Sequence, residues 1–169
     1  DSSLNPNVQL YLSTLSIGYN GTAAGGTSGV VDLSKFTGPI SINTLRVGRS
    51  ESWSPASGQF TFGNATLNNL SIPTVQIGSG ALNINSGATL AVTSELDIGY
   101  FCGGLSKSGT GVLSLATGAG LQVGTPAAPA MMYVARNPWA SAIIHNATFA
   151  PDSSLNPNVQ LYLSTLSIG

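Results

Sequence analysis

Glu95 and Asp97 are the closest pair of carboxylates in this 169-residue chain. They stand two residues apart, and in a strand that spacing puts both side chains on one face. Two carboxylates held a few ångströms apart are what glycoside hydrolysis requires. The other internal acids, Asp32 and Glu51, have no such companion. The pleat turns Glu95 and Asp97 toward solvent, so the expectation is a solvated outer face and not a catalytic pair. His145, within Ala142-Ile-Ile-His-Asn146, is the one histidine, and a Ser-His-Asp relay would have to use it. One His and one Cys cannot build a zinc site between them. Calcium-loop and phosphate-loop signatures are absent from the sequence. The expectation is therefore no enzyme, no catalytic residue, no metal and no cofactor.

The remaining reactive positions suggest modification and contact. Four Asn-x-Ser/Thr sequons occur, at Asn20, Asn64, Asn69 and Asn146, and Asn20, in an expected loop, is the best candidate for a glycan. Cys102, the only cysteine, excludes an internal disulfide framework and is a candidate inter-chain crosslink. Trp53, Tyr100 and Trp139 fall in expected loops, where contacts to a partner or a glycan would be made. Single threonines recur at Thr14, Thr44, Thr74 and Thr165. They lack the paired Thr-x-Thr ranks that ice binding would need.

Charge is scarce, at 7% of residues, while hydrophobic residues reach 42%. Such a chain can bury a core and is not of the disordered class. Arg46 and Arg49 form the closest basic pair, beside Glu51, so the clustered cations that nucleic acid demands are missing. Apolar runs such as Ala130 to Ala135 are too short to span a membrane as a helix. Few charges, one thiol and abundant Ser and Thr suit a secreted environment.

These side chains must be positioned by short alternating strands closed by glycine. Gly29-Val-Val-Asp-Leu33, Gly58-Gln-Phe-Thr-Phe62, Gly80-Ala-Leu-Asn-Ile84 and Gly111-Val-Leu-Ser-Leu115 are versions of one strand. A second type covers Ala65-Thr-Leu67, Ala88-Thr-Leu-Ala-Val92 and Gly120-Leu-Gln-Val123. A third closes each unit, as in Thr14-Leu-Ser-Ile-Gly18, Thr44-Leu-Arg-Val-Gly48, Thr74-Val-Gln-Ile-Gly78 and Glu95-Leu-Asp-Ile-Gly99. Met132-Tyr-Val-Ala135 fills that slot in a degenerate unit. Helical spacing of apolar residues is not found. The expected fold is all-β, a parallel β-solenoid of three short strands per coil. Its inner ladders are Leu15, Leu45, Val75, Leu96 and Leu166 beside Ile17, Val47, Ile77, Ile98 and Ile168.

The first eighteen residues, Asp1 to Gly18, recur without change from Asp152 to Gly169. An internal repeat of this kind outranks local pattern. It sets a period of 151, the offset from Asp1 to Asp152, with one repeat unit over residues 1–151 and the start of the next over 152–169. The chain thus reads as an excerpt of a longer array. Coil endings at Gly18, Gly48, Gly78, Gly99, Ala135 and Gly169 divide the period into about five coils. Strands stack about 4.8 Å apart, so one period advances the axis by roughly 24 Å. One period also balances its charge, because the duplicated tail contributes only Asp152. Neutral units can join in number without accumulating repulsion.

The strings TLRVG, TVQIGSGALNINSGATLAV and ELDIGY resemble large bacterial surface proteins of the autotransporter-passenger and β-strand-repeat type. The likeness covers roughly residues 29–124 and lies in rhythm and composition. It implies a right-handed β-helix on an exported, extracellular or cell-surface protein, and it carries over no functional residue. The expected function is a structural fibre or stalk whose partner is itself, with an adhesin that binds through loop aromatics as the alternative. Nucleic-acid binding and membrane insertion are not expected.

Overall fold

A computed structural model describes residues 8–21, 25–50, 56–100, 110–136 and 146–169. The described residues are all β, with parallel strand pairing and no helix. The strands are β1 (Leu10–Ile17), β2 (Thr27–Asp32), β3 (Ile40–Val47), β4 (Ala56–Phe62), β5 (Asn69–Ile77), β6 (Gly80–Ile84), β7 (Thr89–Ile98), β8 (Thr110–Leu115), β9 (Gly120–Val123), β10 (Ala130–Val134), β11 (Asn146–Thr148), β12 (Val159–Leu161) and β13 (Leu163–Ile168). They form two sheets. The first runs β1-β3-β5-β7-β10-β13, with β9 and β12 extending it beside β7, and the second runs β11-β8-β6-β4-β2.

The pairing is in register along each sheet. In the first, Leu15, Leu45, Val75, Leu96, Met132 and Leu166 are successive partners, and so are Ile17, Val47, Ile77, Ile98, Val134 and Ile168. In the second, Val31, Phe60, Leu82 and Leu113 align. The inner faces of both sheets feed a single apolar cluster. Alternation puts these residues inward because successive side chains of a strand point to opposite faces.

Two local expectations are corrected. Ala65–Leu67 is not a strand. Asn64 Oδ1 accepts from the backbone N–H of Thr66 and of Leu67, each at 2.8 Å, and bends the chain into a turn. The strand begins at Asn69, where it pairs with Thr89. The second and third strand types also fuse. In β5 the buried residues are Leu70 and Ile72, then Val75 and Ile77. The inward phase slips at Pro73, where the pairing with β7 shifts register. Proline has no N–H to give the ladder and is tolerated in a sheet at such an irregularity. The strand therefore bends around the core and does not break. Only between β9 and β10 does a loop, Gly124–Pro129, separate the two parts.

The closing residue of each unit carries the ladder one step further. Gly48, Gly78, Gly99, Ala135 and Gly169 donate N–H to Ile17, Val47, Ile77, Ile98 and Val134 respectively, at 2.6–3.0 Å. Gly48 does so with φ +64°, and Ala135 with φ +63°, the only non-glycine with positive φ among the described residues. That region brings Cβ against the carbonyl oxygen and costs an L-residue about 1 kcal/mol. Ala135→Gly is therefore expected to stabilise the chain by about 0.5–1 kcal/mol, less glycine's greater freedom in the unfolded state. Chemical denaturation reads this out, and a lower midpoint for the variant would refute it.

Candidate functional site

The outer face of the first sheet carries a cluster of polar and aromatic groups. Register stacks Ser16, Arg46, Gln76, Asp97, Tyr133 and Ser167 in one outward row. Thr74, Glu95 and Met131 form the adjacent row. Over these rows folds Arg136, placed by the left-handed Ala135 just before it. Arg136 Nη1 lies 3.4 Å from Asp97 Oδ2 and 3.6 Å from Glu95 Oε1. Its guanidinium sits 4.1 Å from the Tyr133 ring centroid and 5.9 Å from that of Tyr100. Arg49 approaches Tyr100 at 5.0 Å, and its Nη1 donates to Gln76 Oε1 at 2.6 Å. Tyr100 therefore meets both guanidiniums, contacts that aromatic rings favour through their negative faces.

This geometry corrects the expectation that Asp97 points to solvent. Asp97 is 0% exposed. Burial pushes its carboxyl up to about 7, the neighbouring Glu95 charge adds to the shift, and Arg136 offsets part of it. Asp97 Oδ1 has no hydrogen-bond donor among the described residues. A raised carboxyl beside a second carboxylate is the arrangement of an acid–base pair. Here the raised group lies sealed beneath Arg136 and the sheet, out of reach of a polymer substrate. What the arrangement does in this geometry is tie strand β7 to the segment after β10 across 39 residues of sequence.

Two of the four sequons have their side-chain amides engaged within the fold. Asn20 is 2% exposed, and its Nδ2 donates to Gly25 O at 2.6 Å. Asn64 Nδ2 donates to Phe36 O at 2.8 Å and Leu33 O at 3.4 Å. A glycan would be attached through that same nitrogen, so both amides are committed to holding turns. Asn69 is exposed and its amide meets only the exposed Asn68 side chain, at 2.9 Å. Asn146 opens β11. Asp32 is exposed and accepts from the backbone of Ser34 at 2.8 Å, a bond that holds its carboxyl below the ordinary range. Trp53, Trp139, Cys102, His145 and Glu51 lie outside the described residues. Among the described residues no group of three His, Cys, Asp or Glu could hold a metal ion, and no helix is long and apolar enough to cross a membrane.

The apolar residues point elsewhere, to the ends of the stack. Among the described residues the exposed large hydrophobic residues are Val8, Tyr11, Tyr19 and Val30, of which Tyr11 and Val30 stand at outward positions of β1 and β2, and Leu155, Leu161, Leu166 and Ile168 at the other end. Leu166 and Ile168 keep the register of the inner ladders yet are exposed, because no described strand of the second sheet stands opposite β13. The duplicated segment makes the comparison direct. Ile17, faced by Gly29 of β2, is 3% exposed, whereas its copy Ile168, on a strand with no described partner in the second sheet opposite it, is 74% exposed. Both sheets end in strands with one unpaired edge, β1 and β2 at one end and β13 and β11 at the other. Unpaired edges of this kind are templates for another strand. The sequence pattern marked the ladders but not which rungs would lie open.

No protein-family model matches this chain, and neither curated proteins nor solved structures include a match to it.

Proposed function

We propose that this chain is a structural module of β-solenoid form, about five coils to each 151-residue repeat, that stacks end to end into an extracellular fibre or surface stalk. The observation that carries this reading is the exposure of Leu166 and Ile168 on the outermost strand β13, in register with inner rungs that are buried elsewhere in the sheet. Soluble monomers rarely leave such surface open, and contiguous apolar patches mark interaction sites. Open parallel edges accompany them at both ends. Stacking would bury the apolar rungs and satisfy the edge amides and carbonyls at once, and each added unit would contribute a similar increment of stability. The neutral period removes the electrostatic obstacle to long arrays. The likeness of the repeats to bacterial surface proteins supports a location outside the cell. The role is mechanical, with no catalytic step. The burial of Asp97 favours it over a carbohydrate-active enzyme, since one member of the closest carboxylate pair among the described residues is closed to substrate.

Electron microscopy of the concentrated protein tests this. Rods that lengthen with concentration, with an axial repeat of roughly 24 Å per period, are expected. Particles of fixed size at every concentration would sink the reading.

A further inference from the structure

The duplicated segment is seen in two settings, and together they describe a joint. In its first copy, β1 presents one edge to β3 in the register Leu10↔Ile40 through Ile17↔Val47. In its second copy, the same residues present the opposite edge to β9 and β10, in the registers Val159↔Leu121 through Leu161↔Val123 and Thr165↔Met131 through Ile168↔Val134. The two sets of partners do not compete, so one copy of the segment can satisfy both.

The second copy is seated by more than strand pairing. Asn156 is buried, and its Nδ2 donates to Ala116 O at 2.7 Å and Ala119 O at 3.4 Å. Asn64 clasps the preceding Leu33–Phe36 turn through the same two carbonyl positions. The seat on β9 and β10 thus uses the contact that ties successive strands together inside the unit.

The levels of the two sheets decide how a neighbour can fit. The main path of the first sheet holds six strands and the second sheet five, so β13 stands one level, about 4.8 Å, beyond β11. At the other end β1 and β2 are each outermost. A second copy that placed its β1 on β13 would leave its β2 one level short of β11. If its residues 1–18 took the place of residues 152–169, both sheets would close together.

We propose that residues 1–18 of one copy occupy, on a second copy of this chain, the seat that residues 152–169 fill here. This rests on the end-to-end reading and specifies its joint. Shifting the observed pairs by the 151-residue offset gives the inter-copy register: Gln9 beside Gln122, Thr14 beside Met131, and Ile17 beside Val134. Residues 152–169 hold that seat from within the same chain, and the tether raises their effective concentration to about millimolar. Weakening their hold should therefore promote assembly.

The test uses the full chain with Cys102→Ser and paired cysteines, oxidised at high concentration. Adjacent positions on paired strands lie within disulfide reach. Gln9→Cys with Gln122→Cys is expected to give a ladder of crosslinked multimers, and adding Asn156→Ala should raise the crosslinked fraction roughly fivefold, as loss of about one net hydrogen bond implies. Gln9→Cys with Gln160→Cys reports plain stacking without exchange. A ladder from that pair alone, or oligomers without either crosslink, overturns the joint and leaves the end-to-end reading standing. Monomers throughout, by sedimentation, overturn both. Thr14→Cys with Met131→Cys reports the same joint if the glutamine pair does not fold.

Discussion

Replacing Phe60 with alanine is expected to destabilise the chain by about 3–5 kcal/mol, the largest loss for any one side chain considered. Phe60 is fully buried on β4 of the second sheet, where Val31 and Leu82 are its cross-strand partners. Its ring lies 6.2 Å from that of Phe62, a separation at which aromatic pairs add attraction beyond simple burial. Truncation removes the transfer free energy of the ring and leaves a cavity. Collapse cannot fill it, because β4 is hydrogen-bonded on both edges, to β2 and β6. Gln59 is next in sequence but exposed, and Gln59→Ala should stay within about 0.5 kcal/mol. Denaturant unfolding of both variants decides the matter. Equal effects would mean that the inward and outward faces of β4 are assigned wrongly.

Asp97 should make stability depend on pH in an unusual direction. Its folded pKa, about 7, lies above the ordinary carboxylate value of 3.8. The folded state therefore holds the proton more tightly than the unfolded chain. This contribution is fully present below about pH 4, declines as pH rises toward 7, and is gone above it. Three units correspond to at most about 4 kcal/mol, of which about 3 kcal/mol is present at pH 5, or a melting temperature roughly 5–10 °C higher at pH 5 than at pH 8. Asp32 and Asp152 act in the opposite sense, since hydrogen bonds from Ser34 and Ser154 lower their pKa values, but their loss begins only near the ordinary carboxylate range. Asp97→Asn keeps the shape without the charge. It should remove most of the slope and be more stable than the parent at pH 8. Thermal melts at the two pH values compare the pair, so that titration elsewhere cancels. A parent whose melting temperature is unchanged or rises toward pH 8 would contradict the burial of an ionisable Asp97.

The parallel all-β architecture was legible because its cause is local and repeated. Each Leu-x-Ile-Gly closing string has the same inward pair and the same final residue, and in a parallel stack each strand meets the same environment as the last. Even Ala135 was readable as a stand-in for glycine, and it adopts the left-handed backbone that the position imposes. The strand boundaries were less legible. The bend at Pro73 and the turn at Asn64 depend on where hydrogen-bond donors and acceptors find partners in the neighbouring strand, and a single segment does not contain that information. The outer cluster was the least legible. By the pleat rule Asp97 faces out, and it does lie on the outward row. What it meets there is Arg136, brought to it from 39 residues away.

The duplicated segment separates the two kinds of information most sharply. Sequence alone determined that residues 1–18 and 152–169 are the same and have the same inward pattern. It could not determine that Ile17 would be covered and Ile168 exposed: both lie on outermost strands, but Gly29 of β2 faces Ile17, whereas no described strand of the second sheet stands opposite β13. Tertiary structure decided that, and with it which surfaces remain for another copy to cover.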